Sequence, residues 1–233
     1  MYNRLASYYD DLVQDDEATQ AWVSWIESYT APGPFLELAC GSGEITRRLA
    51  QDGFDVTALD LSPEMISRAA QKCSNVRFLC QDMTRLENLP TYPAIGCFCD
   101  SFNYLIEPEE VQAFFHQVHD HLKTDGLFLF DTHALDRLTE FQNEWNETGR
   151  FTDGTDYQWS IESEDDWIYQ DFAFYLPDGQ TMQEHHLQRV YQPEDLSEWA
   201  APWFDLVDVR TDFDQKGIVP GEKYFYVLRR KNI

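Results

Sequence analysis

The sequence predicts an α/β fold: a Rossmann-like seven-stranded sheet of five parallel strands plus a terminal antiparallel hairpin, with a small antiparallel β subdomain inserted. Three observations predict it. Between residues 35 and 130, short apolar runs alternate with amphipathic stretches, the pattern of parallel strands joined by crossover helices. Beyond that, strands of mixed polarity flank a Pro177-Asp178-Gly179 turn. The chain then closes on two β-runs, 205–211 and 223–230, separated by Lys216-Gly217 and Pro220-Gly221, a spacing that fits a hairpin. Five parallel strands with such a hairpin differ from the symmetric six-strand dehydrogenase sheet.

Each element has a local cause. Ala21, Trp22, Trp25, Ile26 and Tyr29 recur at helical spacing over 18–29, and Ala31-Pro32-Gly33-Pro34 breaks that helix. Residues 35–39 form the first strand, and 44–51 form a helix stopped by Gly53. The second strand is 55–59. Ser62-Pro63 starts a helix, Ser as cap and Pro in the first turn, that buries Met65, Ile66, Ala69, Ala70 and Cys73. Strands three and four are 76–80 and 95–99. Glu107-Pro108 opens a helix with Val111, Phe114, Phe115, Val118 and Leu122 on one face and Gly126 at its end; 127–130 is the fifth strand. In the insertion, 159–163, 167–176 and 181–191 read as strands, and a short helix follows at 194–200. The organisation expected is a lid and core over 1–138, an antiparallel insertion covering the acceptor site over 139–192, and completion of the core over 193–233.

A chain of 233 residues with 43% hydrophobic content can bury one large core. Its formal net charge of −25 repels phosphodiester backbones and anionic lipid, so nucleic acid and membrane are excluded as expected partners. Small cationic or amine-bearing molecules suit this field. The five cysteines (40, 73, 80, 97, 99) form no CxxC pair and read as reduced, buried thiols of a cytoplasmic protein, with no metal site. Cys97 and Cys99 share a strand face, where packing is the expected role. His116 and His119 at helical spacing read as a solvated face.

The motif that carries chemistry is Leu36 to Ala50, LELACGSGEITRRLA. A nicotinamide dehydrogenase places G-x-G-x-x-G at this strand-to-helix turn; here Thr46 stands where the third glycine would be. Glu44 puts a carboxylate in the first helical turn, where a pyrophosphate needs positive potential, and Glu37 adds another within the strand. A ligand with a positive end fits better. S-adenosylmethionine (SAM) carries an ammonium and a sulfonium. Asp60, ending strand two, can accept both ribose hydroxyls. Asp82, ending strand three beside Met83, can accept an adenine amino group. DSFNYL ends strand four, so every polar cluster falls at the carboxyl edge of the sheet, where open α/β sheets bind ligands.

ELACGSGEIT, ALDLSPEMISRAAQK, FLCQDMTRL and CFCDSFNYL, in this order, resemble the motifs of class I SAM-dependent methyltransferases over about residues 1–135 and 193–233. RLASYYDDL is similar to the A-x-x-Y-D opening of the small-molecule members, and DSFNYL with the insertion resembles the sugar-amine and glycine N-methyltransferase-like branch. Tyr92-Pro93 stands where many members carry Phe-Asp, and Pro removes a backbone donor from the entry of strand four. The resemblance implies that Glu37, Gly41 and Gly43 hold the methionine portion of the cofactor SAM. It implies that Asp60 binds ribose, with Leu61 near adenine, that Asp82 and Met83 bind adenine, and that Ser101 borders the methyl channel. Tyr9, with Tyr8, would close over the cofactor as a lid.

The reaction expected is in-line methyl transfer to a small-molecule acceptor, an amine nitrogen first and oxygen next. The alternatives are a nicotinamide-dependent oxidoreductase and a SAM-binding protein without catalysis. Candidate catalytic residues are Tyr9, His133, which follows strand five, and His185 of the insertion. Asp131 could orient His133. His185 and His186 face opposite sides of a strand, and the face of His185, Leu187, Arg189 and Tyr191 is expected inward. Tyr8, Tyr9, Phe102 and Tyr104 could offer ring faces to a sulfonium. Aromatic residues of the insertion could support a homodimer.

Overall fold

The computed structural model describes residue 6 and residues 8–233. The rest of RLASYYDDL (residues 4, 5 and 7) lies outside the described residues. The main sheet has eight strands in the order β11-β10-β12-β5-β4-β1-β2-β3. Its parallel part is β1 (Pro34–Leu38), β2 (Asp55–Asp60), β3 (Arg77–Cys80), β4 (Tyr92–Cys97) and β5 (Leu122–His133). Antiparallel β10 (Phe204–Thr211) and β12 (Lys223–Arg230) complete it, and the two-residue β11 (Gln215–Lys216) adds an edge strand beyond the seven expected. The strand order reverses between β1 and β4, and a crevice opens at their carboxyl ends.

Helices cover both faces. On one, Phe114 and Phe115 of α5 (Pro108–His121) pack with Phe102, Phe128 and Phe130; on the other, Trp22, Trp25 and Ile26 of α2 (Asp16–Glu27) pack with Phe35, Leu49 and Phe225. The charged residues that open α2 are solvated, while Asp15 caps it by accepting from the backbone N–H groups of Glu17 and Ala18. α3 (Glu44–Gln51) and α4 (Pro63–Lys72) follow β1 and β2, with Ser62 capping α4 through Met65 N at 3.2 Å. α4 buries Met65 and Ala69, but Ala70 faces solvent, because the helix touches the sheet along one narrow stripe.

Several local expectations are corrected. Gly126 does not end α5: the helix stops at His121, whose successor Leu122 is already extended, and Gly126 sits in an irregular start of β5 where a Cβ would meet Lys123 O at 2.8 Å. Pro93 is absorbed by a register shift between β4 and β5 at Tyr92/Ala94. β4 ends at Cys97, and the chain then turns through left-handed Cys99 (φ 55°), so Cys97 and Cys99 share no strand face. Cys80 and Cys99 are exposed, not buried. His119 is buried, its Nε2 3.1 Å from Lys231 O, while His116 stacks on Trp203.

Between α6 (Asp136–Glu140) and α7 (Pro193–Ala200) the insertion forms its own sheet in the order β6-β7-β8-β9: β6 (Trp145–Arg150), β7 (Asp156–Glu164), β8 (Trp167–Tyr175) and β9 (Thr181–Arg189). Three of these strands match the sequence expectation; β6, WNETGR, lacks apolar alternation and lies at the exposed edge. Among the described residues no helix is long and apolar enough to cross a membrane.

Candidate functional site

The glycine turn is built by backbone conformation that few side chains tolerate. β1 runs into left-handed Ala39 (φ 53°), then Gly41 (φ 53°) and Gly43 (φ 83°), which caps α3. A Cβ on Gly43 would lie 2.8 Å from Ala69 Cβ of α4, whereas one on Gly41 meets nothing within 4 Å. Gly43 thus supplies the close helix packing that the missing third glycine would give, and Gly41 leaves open space beside the backbone. Ala39 and Cys99, both non-glycine and left-handed, lie just beyond the ends of the two strands at the switch point; strain of this kind collects at functional sites.

Asp60 ties the turn to the neighbouring strand. Its Oδ2 accepts from Gly41 N and its Oδ1 from Ser62 N, each at 2.8 Å. Burial pushes its carboxyl above the usual range, against the pull of these backbone donors. Each oxygen keeps a second lone pair that can take a ribose hydroxyl.

These residues line a cavity of about 670 Å³, a size suited to an adenosine-bearing ligand. Tyr9, Glu37, Gly41, Gly43, Asp60, Leu61, Asp82, Met83 and Ser101 all contribute to its wall. Asp82 is held by its own turn, Oδ1 accepting from Thr84 N and Oγ1 at 2.8 Å each. Leu61 stands 59% exposed at the rim and offers an apolar surface there. The ionisable lining comprises Asp10, Asp15, Glu37, Glu44, Asp60, Asp82 and Glu110, with His185 and no Lys or Arg among the described residues. That wall fits a ligand carrying ammonium and sulfonium and opposes a diphosphate. Glu44 contributes little to this discrimination: although burial opposes it, hydrogen bonds from Lys72 and Arg47 hold it ionised and compensate its charge.

Glu37 is 2% exposed and accepts a 2.6 Å hydrogen bond from Thr46 Oγ1. Burial, opposed by that hydrogen bond and reinforced by Asp60, raises its pKa from 4.5 to about 8. The folded chain therefore binds a proton here that the unfolded chain releases, and Glu37 makes stability fall as pH rises from about 4.5 to 8. Denaturant unfolding across that window should show Glu37→Gln with a flatter decline, by up to about 1.4 kcal/mol per pH unit. Parallel curves would refute the assignment.

Further contributors come from elements remote in sequence. α1 (Tyr9–Val13) lies over the cavity, with Asp10 Oδ1 accepting from Ser42 Oγ at 2.5 Å and Oδ2 2.7 Å from Lys72 Nζ. Trp22, Cys99, Tyr104 and Glu110 complete the wall. Tyr8 does not join Tyr9 there; it packs on the insertion. Phe102 is fully buried in the core and offers no ring face.

The histidines divide. His133 does not line the cavity: its ring is buried, with Nε2 3.0 Å from Gln188 Oε1 and Nδ1 3.6 Å from Asp100 Oδ1, and burial lowers its pKa to about 4. β5 extends past residue 130 to His133, which carries that residue into the layer between core and insertion. Asp131 is likewise buried; it accepts from Asp100 N at 3.0 Å and lies beside Lys223, which also pairs with Asp100. The face of His185 is not the inward one expected: the opposite face, His186, Gln188 and Val190, is buried, while His185 is 69% exposed at the cavity rim beside Leu187, its Nδ1 paired with Asp171 of β8. His186, on the opposite face, is 3% exposed, with Nδ1 3.1 Å from the Tyr104 hydroxyl. The sequence contains a signal for Asp171: a hairpin centred on Asp178 pairs 171 with 185. Asp10 carries one as the last residue of the A-x-x-Y-D opening; Glu110 carries none.

The chain matches a model of the methyltransferase domain over residues 35–126. It is 35% identical over 242 residues to "Putative methyltransferase YqeM" of Bacillus subtilis (strain 168), covering 99% of this chain and 97% of that one. The fold matches a SAM-dependent methyltransferase from Clostridium acetobutylicum ATCC 824 with a TM-score of 0.84 and 27% identity over 99% of both chains. It also matches the sugar N-methyltransferase KedS8 from Streptoalloteichus sp ATCC 53650 with a TM-score of 0.76 and 18% identity over 94% of this chain and 89% of that one. The nicotinamide alternative and the non-catalytic one both give way. A glycine turn clamped by Asp60, an acid-lined adenosine-sized cavity and relatives along the full length agree: the chain belongs to the class I SAM-dependent methyltransferases, enzymes whose cofactor is SAM.

Proposed function

We propose that this enzyme methylates the amine nitrogen of a small-molecule acceptor. The observation that supports this is the cavity wall, whose ionisable groups are acids and one histidine, with no Lys or Arg among the described residues. An acceptor arriving as an ammonium is attracted by that wall, while a carboxylate acceptor is repelled. The sugar N-methyltransferase KedS8 and the glycopeptide N-methyltransferase MtfA, similar in fold, are compatible with it.

SAM, when bound, supplies an electrophilic methyl group on sulfonium. The chain's own residues do the rest. Glu37 faces the ammonium end with Gly41 and Gly43, Asp60 holds the ribose, and Asp82, Met83 and Leu61 border adenine. Ser101 and Tyr9 flank the transfer path, where alignment and exclusion of water lower the barrier. His185, its Nδ1 paired with Asp171, keeps Nε2 to take the proton an ammonium must lose before it can attack. His133 takes a positional role, linking β5 to Gln188 of β9.

In this reading residues 1–138 and 193–233 form the cofactor core and 139–192 the acceptor cover, in a cytoplasmic enzyme whose five thiols stay reduced. Trp145 and Tyr175, exposed on the insertion, would carry a homodimer contact. Incubation with trideuteromethyl SAM and separate pools of amines, amino sugars, carboxylic acids and alcohols tests the acceptor class. Label in N-methyl products alone is expected; label only in esters or ethers would overturn it.

A further inference from the structure

Helix α1 is held from two sides while its first residue faces the cavity. On one side, Tyr8 docks on the inserted sheet. Its ring stacks on Phe151 at 4.4 Å and on Phe174 at 5.3 Å, and its hydroxyl donates to Asp153 Oδ2 at 2.9 Å. On the other, Asp10 grips the glycine turn through Ser42 and through Lys72, whose ammonium also bonds Glu44 at 2.7 Å and Ser42 Oγ at 3.1 Å. Tyr9 stands between them in the cavity wall. Three consecutive side chains thus engage the insertion, the cavity and the cofactor turn.

Five residues without a side-chain cap cannot hold a helix in place by local bonding alone. Tyr9 and Leu12 also lie against the aromatic cluster of the insertion, and the attachments of Tyr8 and Asp10 on either side of Tyr9 add to that packing in setting its position. We infer that Tyr8 and Lys72 are positioning residues that hold Tyr9 over the bound methyl donor, so that cofactor residence depends on the inserted sheet as well as on the glycine turn. The inference rests on the reading that SAM occupies this cavity. It also gives the insertion a second role, because the sheet that walls the acceptor side carries the anchor of the cofactor cover. A change at Phe151 or Phe174 is then felt at the cofactor.

The test is the dissociation rate of S-adenosylhomocysteine from the full chain, followed by stopped-flow displacement, with thermal unfolding recorded beside it. Tyr8→Ala should raise the rate about tenfold through loss of two ring contacts. Tyr8→Phe, which keeps both stacks, should stay within about threefold of wild type. Lys72→Ala should also speed release, and Lys72→Arg should restore most of the retention. In a Tyr9→Ala background, Tyr8→Ala should add nothing, because Tyr8 acts through Tyr9; a general packing defect would add its full effect. Unchanged rates in Tyr8→Ala and Lys72→Ala, or full additivity with Tyr9→Ala, would overturn the inference and leave the cofactor site intact. Failure of wild type to bind S-adenosylhomocysteine would instead remove the cofactor reading, and the inference with it.

Discussion

Asp60→Ala is expected to weaken SAM binding by at least about 100-fold in calorimetric titration. Two effects combine. The ribose hydroxyls lose a charged acceptor, and hydrogen bonds to charged groups are worth about 1.5–3 kcal/mol each. Gly41 N and Ser62 N, both held at 2.8 Å by Asp60, lose their partner as well, so the turn loosens before any ligand arrives. The two ribose bonds together come to about 3–6 kcal/mol, and even the lower figure is about two powers of ten. Asp60→Asn separates the effects. It keeps one acceptor oxygen and turns the other position into a donor facing a backbone N–H, so an intermediate loss is expected. An affinity unchanged in Asp60→Ala would show that the carboxylate only braces the turn.

Gly43→Ala carries the largest expected cost to stability. An alanine at φ 83° costs about 1–2 kcal/mol for the left-handed backbone. Its Cβ would also stand 2.8 Å from Ala69 Cβ, and overpacking of that kind costs about 1–3 kcal/mol more. Together roughly 2–5 kcal/mol are lost, a fall in Tm of roughly 5–15 °C for a chain of this size. Gly41→Ala is the internal control. It shares the left-handed strain at φ 53° but has no atom within 4 Å of the added carbon, so it should fold with the smaller penalty alone and lose affinity where Gly43→Ala loses stability. Equal Tm values for Gly43→Ala and wild type would contradict this division of labour.

The contrast between these glycines shows what the sequence makes legible. Gly41, Gly43, Asp60, Asp82 and Ser101 sit at the ends of consecutive strands, so local pattern and the topology of a parallel sheet place them together. Asp10 is legible only as part of the A-x-x-Y-D opening, and Glu110 reaches the same wall through the packing of α5, which no local spacing encodes. Thr46 is visible in the sequence as a departure from a glycine pattern; that it donates to a buried Glu37 depends on the third dimension. His133 resembles a ligand residue because the apolar run of strand five stops at 130. Three further residues of strand put it in the seam with the insertion, bonded to Gln188. The edge strand β6 leaves no sequence signal because an exposed strand needs no apolar alternation. Gly126 shows the opposite error: a glycine after a helix is usually its cap, but here the close approach of Lys123 O is what requires it.

The central claim is that the acid-lined crevice at the end of β1 receives a cationic methyl donor and rejects a dinucleotide. Titration calorimetry of the unmodified chain with SAM and, separately, with NAD tests it most directly. The account predicts saturable binding of one SAM per chain and no detectable heat with NAD. Saturable NAD binding in the absence of any SAM response would contradict it.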